Sequence, residues 1–146
     1  MKFSSPKLLL LCSIVVCLLA FHSEDAAAEL VVVVSSRSAV SGLTSSQVAR
    51  IFLGKTGVYP NGNFAAPLDR AEGSRIREEF YLKVTGKNVS QLRAYWAKII
   101  FSGDGQPPRI LQNSEDVKRE LERNPDAIGY IDGSEVDDRV RVVLTP

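Results

Sequence analysis

One short segment of the sequence combines residue types that bind anions. Arg70 is followed by Gly73, Ser74 and Arg75, and an apolar pattern typical of a helix begins directly after them. The start of a helix offers unpaired N–H groups and partial positive charge to an anion. Glycine lets the backbone approach a ligand, a serine hydroxyl donates a hydrogen bond, and a guanidinium offers two donors in one plane. The segment therefore predicts an oxyanion site formed by Arg70, Gly73, Ser74 and Arg75.

A simpler interpretation of the same segment stays open. The following helix also carries carboxylates, and its arginines could do no more than pair with them on the surface. On that interpretation the segment is an ordinary capped helix without a ligand, whose ion-pair partners are Glu72, Glu78 and Glu79.

The elements around this segment alternate between strands and helices. The β-branched run Val31–Val34 has no polar alternation and predicts a strand covered on both faces, as in parallel sheets. Thr44 and Gln47 form a capping box, which predicts a helix that ends at Gly54. Further strands are expected at 64–68, 127–131 and 140–144. Three more helices are expected: one from Gly73 to Gly86, one at 89–101 with Asn88 as its cap, and one capped by Ser114.

This order of elements predicts the fold class. Helices that alternate with buried strands typically cover both faces of one sheet. The third helix is expected to bury Leu92, Trp96, Ile99 and Ile100, and its aromatic residues are interpreted as core. We therefore expect an α/β protein, a three-layer α/β/α sandwich with a mixed sheet.

The first 28 residues have the layout of a secretory signal peptide. Lys2 and Lys7 precede an apolar stretch, and an A-x-A pattern at 26–28 supplies a cleavage site. The apolar stretch is shorter than the roughly 20 residues that a membrane helix needs. We expect a signal peptide at 1–28, one domain at 29–146, no membrane insertion after cleavage, and a periplasmic or secreted location in a bacterium.

Cleavage at this point would remove the residues on which most hydrolytic chemistry depends. Both cysteines and the only histidine, at Cys12, Cys17 and His22, precede position 29. A chain without them cannot form a thiol nucleophile, a Ser-His-Asp triad or a typical zinc site. We therefore expect no enzyme activity, no catalytic residues, no metal site and no cofactor. A net charge of +1, with both signs mixed along the chain, argues against a nucleic-acid partner.

Three segments together resemble the periplasmic phosphate-binding proteins of ABC transporters. The run Leu43-Thr44-Ser45-Ser46-Gln47-Val48-Ala49-Arg50-Ile51-Phe52-Leu53-Gly54-Lys55 resembles their LT-x-x-Q-x-x-x-IF-x-GK segment. The run Arg70-Ala71-Glu72-Gly73-Ser74 resembles their R-x-D-G-S-G-T anion loop, and Ala127-Ile128-Gly129-Tyr130 resembles their IGY strand. The resemblance covers roughly residues 30–144 and implies one lobe of a type II periplasmic-binding-protein fold.

The resemblance also implies roles for individual residues. In the family, the loop arginine pairs with bound phosphate, and the serine and the helix start donate hydrogen bonds. Arg70 and Ser74 occupy these positions, and Glu72 stands where the family has an acidic residue that pairs with the arginine. The Gly-Thr that follows the family's serine is replaced here by Arg75-Ile76, which removes one hydroxyl donor. The family's second lobe has no counterpart in this sequence.

Two functional hypotheses follow. The first is a periplasmic solute-binding-like protein for phosphate or a similar oxyanion, linked to phosphate ABC transport. The missing half of its site would come from a homodimer or from a second periplasmic protein. The second is an envelope protein-interaction or sensor module that has the lobe fold but no ligand.

Overall fold

The computed structural model describes residues 28–146, and they form five strands and four α-helices. All of the predicted signal peptide except Ala28 lies outside these residues. The strands are β1 (Leu30–Ser35), β2 (Ala66–Arg70), β3 (Arg109–Leu111), β4 (Ala127–Asp132) and β5 (Val140–Leu144). The helices are α1 (Ser45–Phe52), α2 (Arg75–Thr85), α3 (Val89–Ser102) and α4 (Ser114–Arg123), with a short 3-10 helix at Gly133–Glu135.

The strands form one mixed sheet in the order β3-β2-β4-β1-β5. β2 runs parallel to β3 and β4, whereas β1 is antiparallel to β4 and β5. The expectation of parallel neighbours for Val31–Val34 was therefore wrong, although the strand is buried on both faces as predicted. Burial on both faces depends on the helices that cover the sheet, and such helices can cover an antiparallel strand equally well.

Alternation along β1 divides the core into two layers. Val32 and Val34 face α1, α2 and α3 and pack with residues such as Phe52, Phe80 and Trp96. Val31 and Val33 face the opposite side, where they pack with residues of α4. Successive strand residues point to opposite faces, so the two clusters lie on either side of the sheet. This confirms the predicted three-layer α/β/α sandwich with a mixed sheet.

The helix boundaries follow the predicted caps closely. The Thr44 capping box forms, with the Gln47 N–H donating to Thr44 Oγ1 over 3.2 Å and the Thr44 N–H donating to Gln47 Oε1 over 2.8 Å. Asn88 caps α3 in the same way, and Gly86 ends α2 in the left-handed conformation, with φ of 69°. The cap of α4 is Asn113 and not Ser114, because the Asn113 side chain accepts from Asp116 N–H.

Other predicted details need correction. The second strand lies at Ala66–Arg70 and not at 64–68, and Phe64 is largely exposed. In α3, Leu92 and Trp96 are buried as expected and Ile99 is partly so, but Ile100 is exposed. β3 was not predicted. Between Ala28 and Pro146, none of the helices combines the length and apolar composition that crossing a bilayer requires.

Candidate functional site

The turn that joins β2 to α2, residues 70–74, is the candidate site and is called the oxyanion turn below. β2 and β3 are parallel, so their carboxyl ends meet at the same edge of the sheet. α2 begins after β2 and α4 begins after β3. The sheet order therefore places two helix N-termini at this edge, and each of them presents N–H groups without intrahelical partners.

Arg70 ends β2 and turns its side chain toward the start of α4. Its Nη1 donates to Ser114 Oγ over 3.2 Å, and its Nη2 approaches the Gln112 carbonyl oxygen at 3.4 Å. Only 8% of the residue is exposed. Its Nε is buried and has no hydrogen-bond partner among residues 28–146. A buried charged group with an unpaired donor is costly, so this N–H suits an anionic acceptor.

Ser74 is the N-cap residue of α2 but does not cap it with its side chain. Its backbone is extended, as caps require, and its carbonyl accepts from Arg77 and Glu78 N–H. Its Oγ is buried and makes no hydrogen bond within the described part of the chain. Serine at this position ordinarily accepts from the backbone two or three residues on. The hydroxyl of Ser74 is therefore the second buried polar atom of the turn that lacks a partner.

Gly73 gives the oxyanion turn its shape. Its φ is +84°, a left-handed conformation in which a side chain is strained. No atom lies within 4 Å of the position that a Cβ would take, so conformation rather than crowding requires glycine here. The turn closes with a hydrogen bond of 3.1 Å from Ser74 N–H to the Ala71 carbonyl.

Arg75 lines a groove to which Arg70 does not contribute. It is exposed and lines an open groove of about 640 Å³ that is shared with Glu79, Lys83 and Asp132. Three of the four predicted site residues, Arg70, Gly73 and Ser74, thus belong to the oxyanion turn, whereas the Arg75 side chain faces this groove. The N–H groups of Arg75 and Ile76 nevertheless remain at the helix start.

The resemblance implied that Glu72 pairs with Arg70, but the two side chains form no pair in the structure. Its Oε1 accepts from Arg93 of α3, over 3.1 Å from Nε and 2.5 Å from Nη2. The hydrogen bond from Arg93 lowers the pKa of the Glu72 carboxyl below its ordinary value. Glu72 therefore does not engage the Nε donor of Arg70, because its carboxylate pairs with Arg93 of α3.

A buried carboxylate directly before Arg70 anchors the turn. Asp69 Oδ1 accepts from Tyr130 Oη over 2.5 Å and from the Arg70 N–H over 2.8 Å. Asp69 Oδ2 accepts from Tyr81 Oη over 3.0 Å and from Arg77 Nε over 3.1 Å. We call Asp69, Arg77, Tyr81 and Tyr130 the Asp69 cluster. It ties β2, β4 and α2 together beneath the oxyanion turn.

Burial and the charge of Asp69 shape the ionisation of its neighbours. Burial, followed by the adjacent carboxylate, raises the pKa of the Tyr81 and Tyr130 hydroxyls far above the ordinary value of 10.0. Burial alone would lower the pKa of the Arg77 guanidinium, but the attraction and the hydrogen bond to Asp69, together with the nearby phenols, raise this pKa overall. Both phenols therefore stay protonated and donate to Asp69 at neutral pH.

The Asp69 cluster and the contacts of Arg70 with Ser114 and Gln112 were not predicted from the sequence. The sequence signals that point to them are a charged Asp-Arg pair at the end of a strand and a tyrosine in the apolar strand β4. Among residues 28–146, no group of three or more His, Cys, Asp or Glu side chains is arranged to hold a metal ion.

This fold is that of one lobe of a periplasmic binding protein. No protein-family model matches the sequence, and no curated protein matches it significantly. Solved structures match with high probability, and two of them are named as a substrate-binding protein and a receptor of phosphate transport. They show that this chain shares the fold of one lobe of such proteins.

Three of the matching structures illustrate the likeness. One is a Clostridium perfringens protein assigned as a phosphate ABC transporter substrate-binding protein and solved with bound phosphate, with a TM-score of 0.62 and 25% identity. An ABC-type phosphate transport receptor from Vibrio cholerae has a TM-score of 0.61 and 20% identity. PstS from Borrelia burgdorferi has a TM-score of 0.57 and 13% identity. Each match covers 79% of this chain but only 44%, 45% and 46% of the respective solved chain.

Proposed function

We propose that this chain is a solute-binding protein for phosphate or a related tetrahedral oxyanion, held at the oxyanion turn. The observation that carries the proposal is a pair of buried polar atoms in the oxyanion turn, Arg70 Nε and Ser74 Oγ, which have no partner among residues 28–146. Both can donate a hydrogen bond, and the helix start adds backbone donors and partial positive charge. The likeness to the Clostridium perfringens protein, which was solved with phosphate, supports the choice of ligand.

The donors of the proposed site all come from one lobe, and the chain spans less than half the length of the solved chains that it resembles. Three charge-assisted hydrogen bonds contribute about 5 to 9 kcal/mol in total. Association itself costs at least about 4 kcal/mol. The remainder, at most about 5 kcal/mol, corresponds to a dissociation constant no tighter than about 0.2 mM. Tighter capture therefore requires a second half-site, from another copy of the chain or from a second periplasmic protein.

This function fits a periplasmic or secreted protein that serves phosphate ABC transport by binding rather than by catalysis. Two of the solved structures that it resembles are named for phosphate transport and not for a reaction. Signal-peptide cleavage near Ala28 and docking on a transporter are parts of this proposal.

A second candidate function is an envelope interaction or sensor module without a ligand. The observation that favours it is an exposed apolar end of α3, where Phe101 is 96% and Ile100 is 56% exposed. An aromatic side chain left in solvent suits a protein contact. If this alternative is correct, Arg70 only stabilises the fold, through its hydrogen bonds to Ser114 and Gln112.

Titration with phosphate distinguishes the two functions. Amide NMR spectra of the purified protein are recorded with increasing phosphate at constant ionic strength. We expect saturable shifts at Gly73, Ser74 and the first residues of α2, with a dissociation constant of about 0.2 mM or weaker. Arg70→Lys keeps the charge but lacks the Nε donor, and we expect it to weaken binding about tenfold, the effect of losing one charge-assisted hydrogen bond.

The matched control is Arg75→Ala, which removes an exposed positive charge five residues away. We expect it to change affinity less than about threefold, since an exposed charge is well screened. A loss of affinity in Arg75→Ala without a loss in Arg70→Lys would mean that net charge alone attracts the anion, because Arg70→Lys keeps the charge. Absence of any saturable shift would leave the interaction module as the better function.

A further inference from the structure

We propose that this chain self-associates head to tail, with the exposed end of α3 of one copy inserted into a groove beside α1 of the next copy. The proposal rests on two surfaces of one chain that match in apolar character, in size and in charge. It gives the exposed end of α3 a partner and does not require the oxyanion turn to bind an anion. A contact between two unlike surfaces leaves one of each free, so it can repeat along a row of copies.

The end of α3 presents a large apolar side chain to solvent. Phe101 is 96% exposed and Ile100 is 56% exposed. Gly103 ends the helix in the left-handed conformation, with φ of 74°, and the Asp104 N–H donates to the Ile99 carbonyl over 3.1 Å. This helix end is ordered by its own hydrogen bonds, so Phe101 is held exposed by a defined backbone. We call Ile100, Phe101 and Asp104 the α3 tip.

A groove of about 290 Å³ lies between α1 and the segment that follows it. Its apolar lining includes Ile51, Val58, Tyr59 and Pro60, and we call it the α1 groove. Ile51 and Tyr59 are 1% and 2% exposed, and the Tyr59 hydroxyl donates to the Asp126 carbonyl over 3.0 Å. The floor of the groove is therefore fixed by the core. Because a cavity of about 150 Å³ holds benzene, the groove is large enough for an aromatic ring.

The mouth of the α1 groove is apolar as well. Val58 is 41% exposed, and Phe64, with which it forms a β-bridge, is 75% exposed. Neighbouring apolar side chains that remain in solvent are typical of protein contact surfaces. Phe101 of the same chain does not fill the groove, since it is almost fully exposed. The ring and the groove are therefore both available to other copies of the chain.

The two surfaces carry opposite charges. Arg50 lines the α1 groove, is exposed, and its side chain forms no ion pair within residues 28–146. Asp104 is also exposed, accepts from Ser102 Oγ over 2.6 Å, and has no ion-pair partner in this part of the chain. Lys98, the nearest cation on α3, lies three residues before Phe101. Two facing α3 tips would place carboxylates together, so charge favours the tip against the groove.

Sedimentation velocity of the purified protein tests the self-association. We expect the average mass to rise with concentration up to about 1 mM and to pass that of a dimer, because every added copy leaves one tip and one groove open. Phe101→Ser removes the ring, and Val58→Glu places a charge in the groove. Both positions are exposed, so the fold should tolerate the changes. We expect each variant alone to associate at least about tenfold more weakly.

A mixture of these two variants tests whether the contact joins unlike surfaces. Phe101→Ser retains an intact groove and Val58→Glu retains an intact tip. We therefore expect the equimolar mixture to form a dimer of one copy of each and no larger species. The matched control is Leu82→Ser, which removes an apolar side chain of α2 that is 58% exposed. We expect it to associate as the unmodified protein does.

Reversing the charges tests the pairing of Arg50 with Asp104. Arg50→Glu and Asp104→Arg should each weaken association, and the protein that carries both changes should recover it, because the pair is restored with its signs exchanged. Failure of the combined variant to recover would contradict this pairing.

The remaining outcomes separate this proposal from the proposed function. A protein that stays monomeric over the whole range would overturn the self-association. Association that persists unchanged in Phe101→Ser and Val58→Glu would overturn it too, because other surfaces would then be responsible. No dimer in the mixture of the two variants would exclude a head-to-tail contact. Phosphate titration of Phe101→Ser tests the oxyanion turn separately, and we expect its affinity to equal that of the unmodified protein.

Discussion

Two clusters of side chains, each built around carboxylates and an arginine, stabilise this protein in different ways. The Asp69 cluster lies between β2, β4 and α2, and its carboxylate is 1% exposed. The second cluster, called here the α4 ion-pair cluster, consists of Glu115, Lys118, Asp137 and Arg139. Arg139 contacts Glu115 and Asp137, each over 2.6 Å, but the Glu115 side chain is 51% exposed.

The lengths of these contacts therefore do not show which cluster contributes more to stability. Exposed pairs are weakened by solvent and by the entropy of ordering long side chains. A buried carboxylate that loses its donors has no water to replace them. The comparison indicates that the shape of the oxyanion turn depends on the Asp69 cluster, whereas the α4 ion-pair cluster fastens a surface loop.

The largest effect is expected at Asp69. Asp69→Ala leaves the Tyr81, Tyr130 and Arg77 donors buried without their acceptor, and we expect a loss of about 3–5 kcal/mol in the free energy of unfolding. Urea unfolding followed by circular dichroism measures this loss. The matched control is Asp116→Ala, which removes a partly exposed carboxylate that pairs with Arg119. Similar losses in both variants would contradict the distinction between buried and exposed pairs.

A smaller effect is expected from a single phenol of the Asp69 cluster. Tyr130→Phe removes one donor to Asp69, and we expect a loss of about 1–2 kcal/mol at neutral pH. Because the folded-state pKa of Tyr130 is raised, its contribution is complete below the unfolded value of 10.0 and declines as pH rises above it. Above pH 10 the free energy of unfolding should therefore fall less steeply in the variant than in the unmodified protein. The two slopes should differ by up to about 1.4 kcal/mol per pH unit.

The control for this variant is Tyr95→Phe, which removes a hydroxyl that donates to the Leu53 carbonyl at a partly buried position. Urea unfolding at several alkaline pH values compares the three proteins. An alkaline slope that Tyr130→Phe leaves unchanged would mean that the buried phenol ionises as easily in the folded chain as in the unfolded chain.

The smallest effect is expected in the α4 ion-pair cluster. The hydrogen bond from Arg139 lowers the pKa of Glu115 to about 2, and Arg139 also lowers the pKa of Asp137. Depressed pKa values stabilise the fold above the unfolded values, and this contribution is lost as pH falls from about 4.5 toward about 2. Arg139→Ala should flatten this acid dependence and shift the thermal midpoint at pH 7 by no more than about two degrees.

Arg123→Ala, at the exposed end of α4, controls for the loss of one positive charge. Thermal unfolding at pH 7 and at acidic pH compares the variants. A midpoint shift in Arg139→Ala as large as that in Asp69→Ala would show that the partly exposed cluster contributes as much as the buried one.

The sequence predicted those parts of the fold that depend on neighbouring residues. Caps at Thr44, Asn88 and Gly86 gave helix ends close to the observed ones, because a cap is a contact within one turn. Strand direction was predicted wrongly for β1, since direction depends on partners near the other end of the chain. β3 was missed because a three-residue strand with mostly exposed side chains has no periodicity.

The candidate site divides in the same way. Arg70, Gly73 and Ser74 are close in sequence, and their residue types alone indicate an anion site. The four donors to Asp69 come from β2, α2 and β4, and no local pattern could assemble them. The pairing of Glu72 with Arg93 likewise depends on how α3 packs, which the spacing of residues does not reveal.

The position of β1 in the sheet has a consequence for how the chain folds. β1 lies between β4 and β5, and its register pairs Leu30 with Asp132. β1 can therefore pair with a neighbouring strand only after β4 or β5 has been synthesised. Contacts between distant parts of a chain slow folding, because a long loop must close before they form. Folding should be all-or-none and comparatively slow, and a chain still emerging from synthesis should stay unfolded and open to chaperones until its final strands are complete.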